Sequence, residues 1–204
     1  MVTIIDYHCG NLGSIANMLK KLGYPSEIVT TPQKVMSAEK LILPGVGSFD
    51  YGMSKLKELG LLDALNQKVL FETTPVLGIC LGAQLMCKSS EEGVLPGLGW
   101  VDAHVVKFPT ELNGVRYTVP HMGWDHVKTE KPSKLFEGLE NARFYFVHSY
   151  SISCEVQQDI LCSNIYSKEY NSAFEKENII GVQFHPEKSH KFGKQIFKNF
   201  LENY

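Results

Sequence analysis

Short apolar runs alternate with helically spaced apolar positions along the first eighty residues. The β-branched run from Val2 to Ile5 ends at Asp6 and is followed by a Gly10-Asn11 turn signal, which predicts a strand. Leucine and isoleucine then recur at helical spacing from Leu12 to Leu22, which predicts a helix. The same reasoning predicts strands at 27–30, 41–43 and 75–79, and two helices between 48 and 70.

The second half of the chain has a different pattern, in which short apolar segments are separated by Gly and Pro turns. Short strands are predicted at 100–106, 115–119, 124–127, 144–147 and 179–184, and a last helix at 190–203. Strands that alternate with helices favour an α/β fold with a mostly parallel sheet covered on both faces. No linker, repeat or low-complexity stretch interrupts the chain, so residues 1–204 are expected to form one domain.

Composition narrows the class of protein further. The chain has 204 residues, a formal net charge of -2 and no run of Lys or Arg, so neither nucleic acid nor a membrane surface is an expected partner. The apolar run at the start is too short for a signal peptide or a membrane span. Five cysteines without a Cys-x-x-Cys pair indicate neither a disulfide framework nor a metal site. A reducing compartment is expected, namely the cytoplasm.

One cysteine lies where a strand should turn into a helix. Gly78-Ile79-Cys80-Leu81-Gly82 has small residues on both sides of Cys80, as in a nucleophile elbow. The positive end of a following helix dipole would favour the thiolate and so raise reactivity. A buried structural cysteine before a helix would give the same pattern. Taken alone, the motif leaves both interpretations open.

A histidine and a glutamate provide the partners that a cysteine nucleophile needs. His185 lies in Gln183-Phe184-His185-Pro186-Glu187, directly after a predicted strand. Residues two apart in extended chain face the same way, so Glu187 can accept a hydrogen bond from the imidazole. Such a carboxylate fixes the tautomer and stabilises the imidazolium. The spacing therefore predicts a Cys-His-Glu triad.

Acyl transfer also needs hydrogen-bond donors for the oxyanion that forms on the attacked carbonyl. The backbone N–H of Leu81 is one candidate donor. The loop Pro44-Gly45-Val46-Gly47 follows another predicted strand and can supply a second, and its glycines permit a peptide flip. An ordinary strand-to-helix loop fits this sequence equally well.

The motifs around residues 44–47, 78–84 and 183–187 resemble those of class I glutamine amidotransferases in type and in order. The resemblance implies a flavodoxin-like domain that hydrolyses L-glutamine through a cysteine thioester without a cofactor or a metal. It implies Cys80 as nucleophile, His185 as acid and base, and Glu187 as orienting carboxylate. It further implies oxyanion groups at Gly45, Val46 and Leu81, and glutamine contacts from Gly47, Gln84, Glu92 and Ser149.

Within that class, the chain resembles the glutaminase subunits of imidazole glycerol phosphate synthases, which serve histidine biosynthesis. The resemblance rests on Asp6-Tyr7 with Gly10-Asn11-Leu12, on the segments 119–124 and 145–150, and on Lys188-Ser189. It implies a heterodimer with a (β/α)₈ barrel synthase subunit that receives the ammonia. The implied docking residues are Asn11, His121, Trp124, Tyr145 and Lys188.

Three departures from that family leave the partner open. His8, Gly13 and Asp125 stand where glycine, a larger residue and asparagine are common, and all three lie near the implied docking face. An alternative is a paralogous subunit that supplies ammonia to a sugar-modifying enzyme of surface-glycan biosynthesis. A more remote alternative is a stand-alone flavodoxin-like cysteine hydrolase, against which Gln84 and Glu92 speak.

Overall fold

The computed structural model describes residues 1–204, and helices and strands alternate through its first half. The helices are α1 Leu12–Lys21, α2 Pro32–Met36, α3 Phe49–Glu58, α4 Leu61–Asn66, α5 Leu81–Leu85 and α6 His190–Asn203. The strands are β1 Val2–Ile5, β2 Ser26–Val29, β3 Lys40–Gly45, β4 Val76–Cys80, β5 Ser89–Ser90, β6 Ala103–Lys107, β7 Glu111–Leu112, β8 Val115–Arg116, β9 His121–His126, β10 Lys128–Thr129, β11 Arg143–His148, β12 Tyr150–Cys154, β13 Ile160–Ile165, β14 Glu169–Lys176 and β15 Ile179–Val182. No helix is long and apolar enough to cross a bilayer.

One large sheet organises the chain, in the order β2-β1-β3-β4-β15-β14-β12-β6-β5, with β13 and β10 joined beside β14. The pairs from β2 to β15 are parallel, whereas β14 pairs antiparallel with β15, β12 and β13. The predicted α/β fold with a mostly parallel central sheet is confirmed. Because β3, β4 and β15 are parallel neighbours, their carboxyl ends meet at one edge, where ligand sites form in such sheets.

Two apolar cores lie on opposite faces of the sheet. Residues that alternate along β3 divide between them, with Leu41 and Leu43 in one core and Ile42 in the other. Helices α3 to α5 cover the first core, and α1 and α6 cover the second. Strands buried on both faces explain the near-continuous apolar runs in the sequence.

The hairpin of β9 and β11 lies outside the main sheet and brings a second set of polar residues to the same edge. Its register pairs His121 with His148 and Trp124 with Tyr145. Phe144 and Phe146 of β11 are buried in the second core. The hairpin is therefore anchored by apolar side chains while its polar residues are free to form a site.

Several elements differ from the sequence prediction. Strand β3 continues through Pro44 and Gly45, so the loop begins two residues later than predicted. Helix α2 was not predicted, because five residues are too few to show a helical period. Strands β12, β13 and β14 were also missed. Buried serines interrupt the apolar pattern in each of them, namely Ser151 in β12, Ser163 in β13 and Ser172 in β14.

Candidate active site

The turn from β4 into α5 places Cys80 at the sheet edge in a strained conformation. Cys80 has a φ of 52° and a ψ of -110°, values that residues with a side chain rarely adopt. Gly82 permits the turn, because a Cβ there would lie 1.8 Å from the carbonyl oxygen of Leu43 in β3. The local backbone thus presents the Cys80 thiol at the carboxyl ends of the parallel strands.

His185 and Glu187 follow β15, the strand next to β4. The Nδ1 of His185 lies 2.7 Å from the Oε1 of Glu187, and both side chains are almost fully buried. The His185 N–H donates to Tyr145 O (2.9 Å), and the Ser189 hydroxyl donates to His185 O (2.6 Å). These hydrogen bonds tie the His185 backbone to the hairpin and to Ser189, directly before α6, and so fix the position from which the imidazole extends.

The protonation of His185 is governed by its two neighbours. Burial alone would lower the pKa of His185, but the neighbouring Cys80 and the hydrogen-bonded Glu187 outweigh it and raise that pKa to about 10. The Nε2 atom of His185 is buried and has no hydrogen-bond partner. The imidazole is therefore suited to hold a proton taken from the thiol.

Gln183 is a site residue that sequence reasoning did not single out. Its amide nitrogen lies 3.7 Å from the Cys80 sulfur, and its carbonyl oxygen accepts from Gln84 Nε2 at 3.0 Å. The Gln84 amide also donates to Tyr150 O at 3.2 Å. Gln183 comes directly after β15, and its contact with Cys80 depends on the pairing of β15 with β4, which leaves no local signal in the sequence.

A cavity of about 310 Å³ opens over the Cys80 thiol. Eight of the residues predicted for the site line it, namely Val46, Gly47, Cys80, Leu81, Gln84, Glu92, Ser149 and His185. Gly45 and Glu187 are not part of this lining. Pro120, Val147, His148 and Tyr150 complete the wall and were not predicted. No group of three or more His, Cys, Asp or Glu side chains is arranged to hold a metal ion.

Three of the predicted docking residues are in contact with one another beside this cavity. The Trp124 and Tyr145 rings meet edge to face with centroids 6.3 Å apart, and Lys188 Nζ lies 5.6 Å from the Tyr145 ring centre. Trp124 also stacks on His190 at 5.4 Å. Asn11 is exposed at the start of α1, where its side chain accepts from the Ser14 N–H.

His121 differs from the other docking residues because its side chain is buried. Its ring stacks on Tyr166 with centroids 4.2 Å apart, and its Nε2 lies 3.8 Å from Asp125 Oδ2. Burial lowers the pKa of His121, although the Asp125 charge opposes it. Asn164 donates to Asp125 as well (3.2 Å). His121, the first residue of the hairpin, is therefore held by packing and leaves almost no surface exposed to a partner.

Comparison with known proteins gives this site its class. Residues 3–204 match the family described as glutamine amidotransferase class-I. The chain belongs to the class I glutamine amidotransferase family. It therefore has the activity of that family, the release of ammonia from glutamine.

Similar proteins cover the chain almost completely. It is 55% identical over 203 residues to an imidazole glycerol phosphate synthase subunit HisH 2 of Methanococcus maripaludis, covering 99% of each chain. It is 47% identical to a subunit of the same name from Pseudomonas aeruginosa, again over 99% of each. A crystal structure of a glutamine amidotransferase has a TM-score of 0.75 at 19% identity, covering 99% of this chain and 98% of the other. That likeness shows the fold.

Proposed function

We propose that this chain is the glutaminase subunit of an imidazole glycerol phosphate synthase in histidine biosynthesis. The two relatives, both imidazole glycerol phosphate synthase subunits and similar over 99% of the chain, support this assignment. The observation that carries the mechanism is the alignment of Cys80, His185 and Glu187 at adjacent strand ends, with His185 hydrogen-bonded to Glu187. All residues from 1 to 204 would form one amidotransferase type 1 domain, working in the cytoplasm.

The proposed reaction proceeds through a thioester on Cys80. His185 takes the thiol proton as the sulfur attacks the carboxamide carbon of glutamine and a C–S bond forms. His185 then gives that proton to the amide nitrogen, the C–N bond breaks, and ammonia leaves. A water molecule, deprotonated by His185, attacks the thioester. The C–S bond then breaks as His185 returns this proton to the sulfur, which restores the thiol and releases glutamate. Glu187 keeps the imidazole oriented throughout.

The cavity lining accounts for substrate recognition. The negative oxygen of each tetrahedral intermediate would be stabilised by the backbone N–H groups of Leu81 and Val46, the latter held at the end of β3 by Gly45, which packs against Tyr7 and Gly82. Glu92 supplies a carboxylate for the α-ammonium group of glutamine. Gln84, Gly47 and the Ser149 backbone would contact its α-carboxylate side.

The proposed partner is a (β/α)₈ barrel synthase subunit that binds over the cavity and accepts the ammonia. The docking surface comprises Asn11, Trp124, Tyr145 and Lys188, with His121 beneath it. Met122 and Val46 add exposed apolar side chains close by, 61% and 45% exposed. Aromatic and methionine side chains are enriched at the centres of protein interfaces, and polar residues surround those centres.

One observation favours a second acceptor. Both relatives quoted above carry the number 2 in their names, which is consistent with more than one such subunit in those organisms. A numbered second subunit could serve a different ammonia acceptor, such as a sugar-modifying enzyme of surface-glycan biosynthesis. Asp125, exposed in part beside Trp124, is one place where the docking surface departs from the histidine-pathway family.

Reconstitution would test the assignment and separate the two acceptors. The chain would be mixed with a barrel subunit of histidine biosynthesis or with a sugar-modifying enzyme, and glutamine-dependent product formation would be measured for each. Product with the histidine-pathway barrel alone supports the assignment. Product with the sugar-modifying enzyme alone would replace it. Cys80→Ala serves as the control for ammonia that arises without the thiol.

A further inference from the structure

The loop that carries Glu92 is attached to α3 by the Asp50 carboxylate, in addition to a bond made by Glu92 itself. Asp50, in the first turn of α3, accepts from the Val94 N–H at 3.0 and 3.1 Å and from the Leu95 N–H at 3.0 Å. Val94 is 92% exposed, so its side chain contributes no burial that would hold the loop. Hydrogen bonds to an ionised acceptor are about twice as strong as neutral ones. The Asp50 carboxylate is therefore a main anchor of this loop.

The residue between Glu92 and Val94 is adapted to this contact. A Cβ on Gly93 would lie 2.0 Å from Asp50 Oδ1, well inside van der Waals contact. The carboxylate cannot move aside without losing its bonds to Val94 and Leu95. Gly93 and Asp50 thus form one arrangement, and a side chain at 93 would break it.

Glu92 is fixed to the same turn of α3. Its Oε2 accepts from the Phe49 N–H at 2.8 Å, and Phe49 directly precedes Asp50. The N-cap residue of α3, Ser48, makes no side-chain cap bond, so Glu92 satisfies an N–H that would otherwise lack a partner in the helix. Two carboxylates near a helix N-terminus are also favoured by its dipole. Gly47, at the cavity wall, lies two residues before Phe49.

We propose that Asp50 is a positioning residue for glutamine recognition. It holds the Glu92 loop on α3, so that the Glu92 carboxylate is set over the cavity before substrate arrives. The proposal rests on the proposed function, in which Glu92 receives the α-ammonium group of glutamine. Since that contact is present in both ground state and transition state, its loss raises the concentration needed for half-saturation and leaves the maximal rate almost unchanged.

A glutamine analogue that alkylates the nucleophile tests this on the full chain. The concentration dependence of Cys80 inactivation by acivicin would be measured for the wild type and for Asp50→Ala. The half-saturating concentration is expected to rise about tenfold, the effect of about 1.4 kcal/mol of binding, at an unchanged limiting rate. Alkylation by iodoacetamide, which has no α-ammonium group, should keep its wild-type rate. Asp50→Asn retains one acceptor oxygen, so its half-saturating acivicin concentration should lie between those of the wild type and Asp50→Ala.

Further variants identify the route of the effect. Glu92→Gln should also raise the half-saturating concentration, and adding Asp50→Ala to it should have little further effect, because both act through one contact. Gly93→Ala should resemble Asp50→Ala. Glu58→Gln, which breaks only an exposed 2.7 Å ion pair with Lys55 on the same helix, should match the wild type.

The outcomes separate the inference from the function on which it rests. Equal half-saturating acivicin concentrations for the wild type and Asp50→Ala would overturn the positioning role. An equal slowing of alkylation by acivicin and by iodoacetamide would overturn it as well, because it would report general disorder around Cys80. If acivicin shows no saturation on Cys80 of the wild type, or Glu92→Gln has no effect, the proposed glutamine site itself is wrong.

Discussion

The surroundings of the two buried cysteines Cys80 and Cys87 indicate why only one of their thiols should react. Cys87 is fully buried, its sulfur lies 3.7 Å from Ala83 O, and burial raises its pKa well above the ordinary value. Cys80 instead lines the cavity beside His185. A thiol that cannot ionise is a poor nucleophile. The two environments support the proposed role of Cys80 as the nucleophile and a packing role for Cys87.

Exchanging these cysteines one at a time tests the assignment. Cys80→Ala should lower glutamine hydrolysis by several powers of ten with an unchanged melting temperature, because no neighbour can replace the nucleophile. Cys87→Ala should retain activity and lose about 1 kcal/mol of unfolding free energy through lost packing. Steady-state glutaminase assays and thermal unfolding would measure both. If Cys87→Ala lost activity and Cys80→Ala kept it, the nucleophile would be Cys87 and not Cys80.

His148 is a buried neutral histidine next to the site. Its Nδ1 lies 2.7 Å from Tyr150 O, and its Nε2 has no partner. Burial lowers the pKa of His148 to about 3, the Tyr150 carbonyl opposes this shift, and the charges of His121 and His185 add to it. The imidazole is therefore neutral in the folded protein at ordinary pH.

This lowered pKa makes stability depend on pH. In the unfolded chain a histidine titrates near pH 6.5, so below that pH the unfolded state binds a proton that the folded state does not. The unfolding free energy should have its full value above pH 6.5 and fall as pH drops toward 3, with roughly 2 kcal/mol lost through His148 at pH 5. Urea unfolding of wild type and His148→Asn at pH 7.5 and pH 5 would measure this. The variant should lose less on acidification, and identical losses would contradict the prediction.

At the residue scale, short-range spacing predicted the triad pattern and long-range contacts produced the rest. His185 and Glu187 are two residues apart and meet at 2.7 Å, although a short 3-10 turn over Pro186–Lys188, and not the extended chain that the prediction assumed, brings them together. Gln183 meets Cys80 and Gln84 only because β15 pairs with β4. The burial of His121 likewise depends on Tyr166, from a distant part of the chain. Such neighbours leave no periodic signal.

At the scale of elements, the junction of β4 and α5 depends on close packing against β3. With a Cβ at position 82 only 1.8 Å from a backbone oxygen, Gly82→Ala must displace α5 or β3. We expect a loss of about 1–3 kcal/mol in unfolding free energy, together with loss of glutaminase activity as the Leu81 N–H moves. Denaturant unfolding and activity assays on the same sample would show both.

Gly13 offers the matched control for that substitution. It lies in α1 with open space around its Cβ position. Gly13→Ala should stabilise the chain by about 0.5–1 kcal/mol, because alanine is the better helix former. If the two variants had equal unfolding free energies, close packing at position 82 would not be the cause of its effect.

Elements with strong periodicity were predictable, and those specified by their neighbours were not. The helix at 190–203 and the strand Val2–Ile5 were predicted with the bounds that the structure has. Strand β12 was missed because Ser151 is buried where an apolar residue would mark the pattern. Strand β3 extends through Pro44 because its partner β4 continues alongside, with Pro44 opposite Ile79. Tertiary pairing sets such ends.

At the scale of the whole molecule, the cavity and the proposed docking surface lie side by side. Val46 belongs to the cavity wall and is also 45% exposed. Lys188 directly follows Glu187 and lies over the Tyr145 ring, while Tyr145 O accepts from the His185 N–H. A partner that contacts these exposed groups would therefore touch residues one step from the triad.

That proximity leads to a prediction about control by the barrel partner. The isolated chain should be a poor glutaminase, because the Val46 N–H can be turned away by the flexible loop that ends at Gly47, where φ is +116°. Losing one oxyanion donor typically costs about 10²–10³ in rate, so a single peptide flip would supply much of the control. Ligand on the partner can activate only by binding better to the complex in which this loop is competent.

Glutaminase rates would be measured for the chain alone, with partner, and with partner plus its ligand, and they should rise in that order. Trp124→Ala should weaken the partner's effect and leave the basal rate unchanged, since Trp124 contacts Tyr145 and His190 and is absent from the cavity wall. Equal rates in all three wild-type assays would mean that the oxyanion loop is competent without a partner.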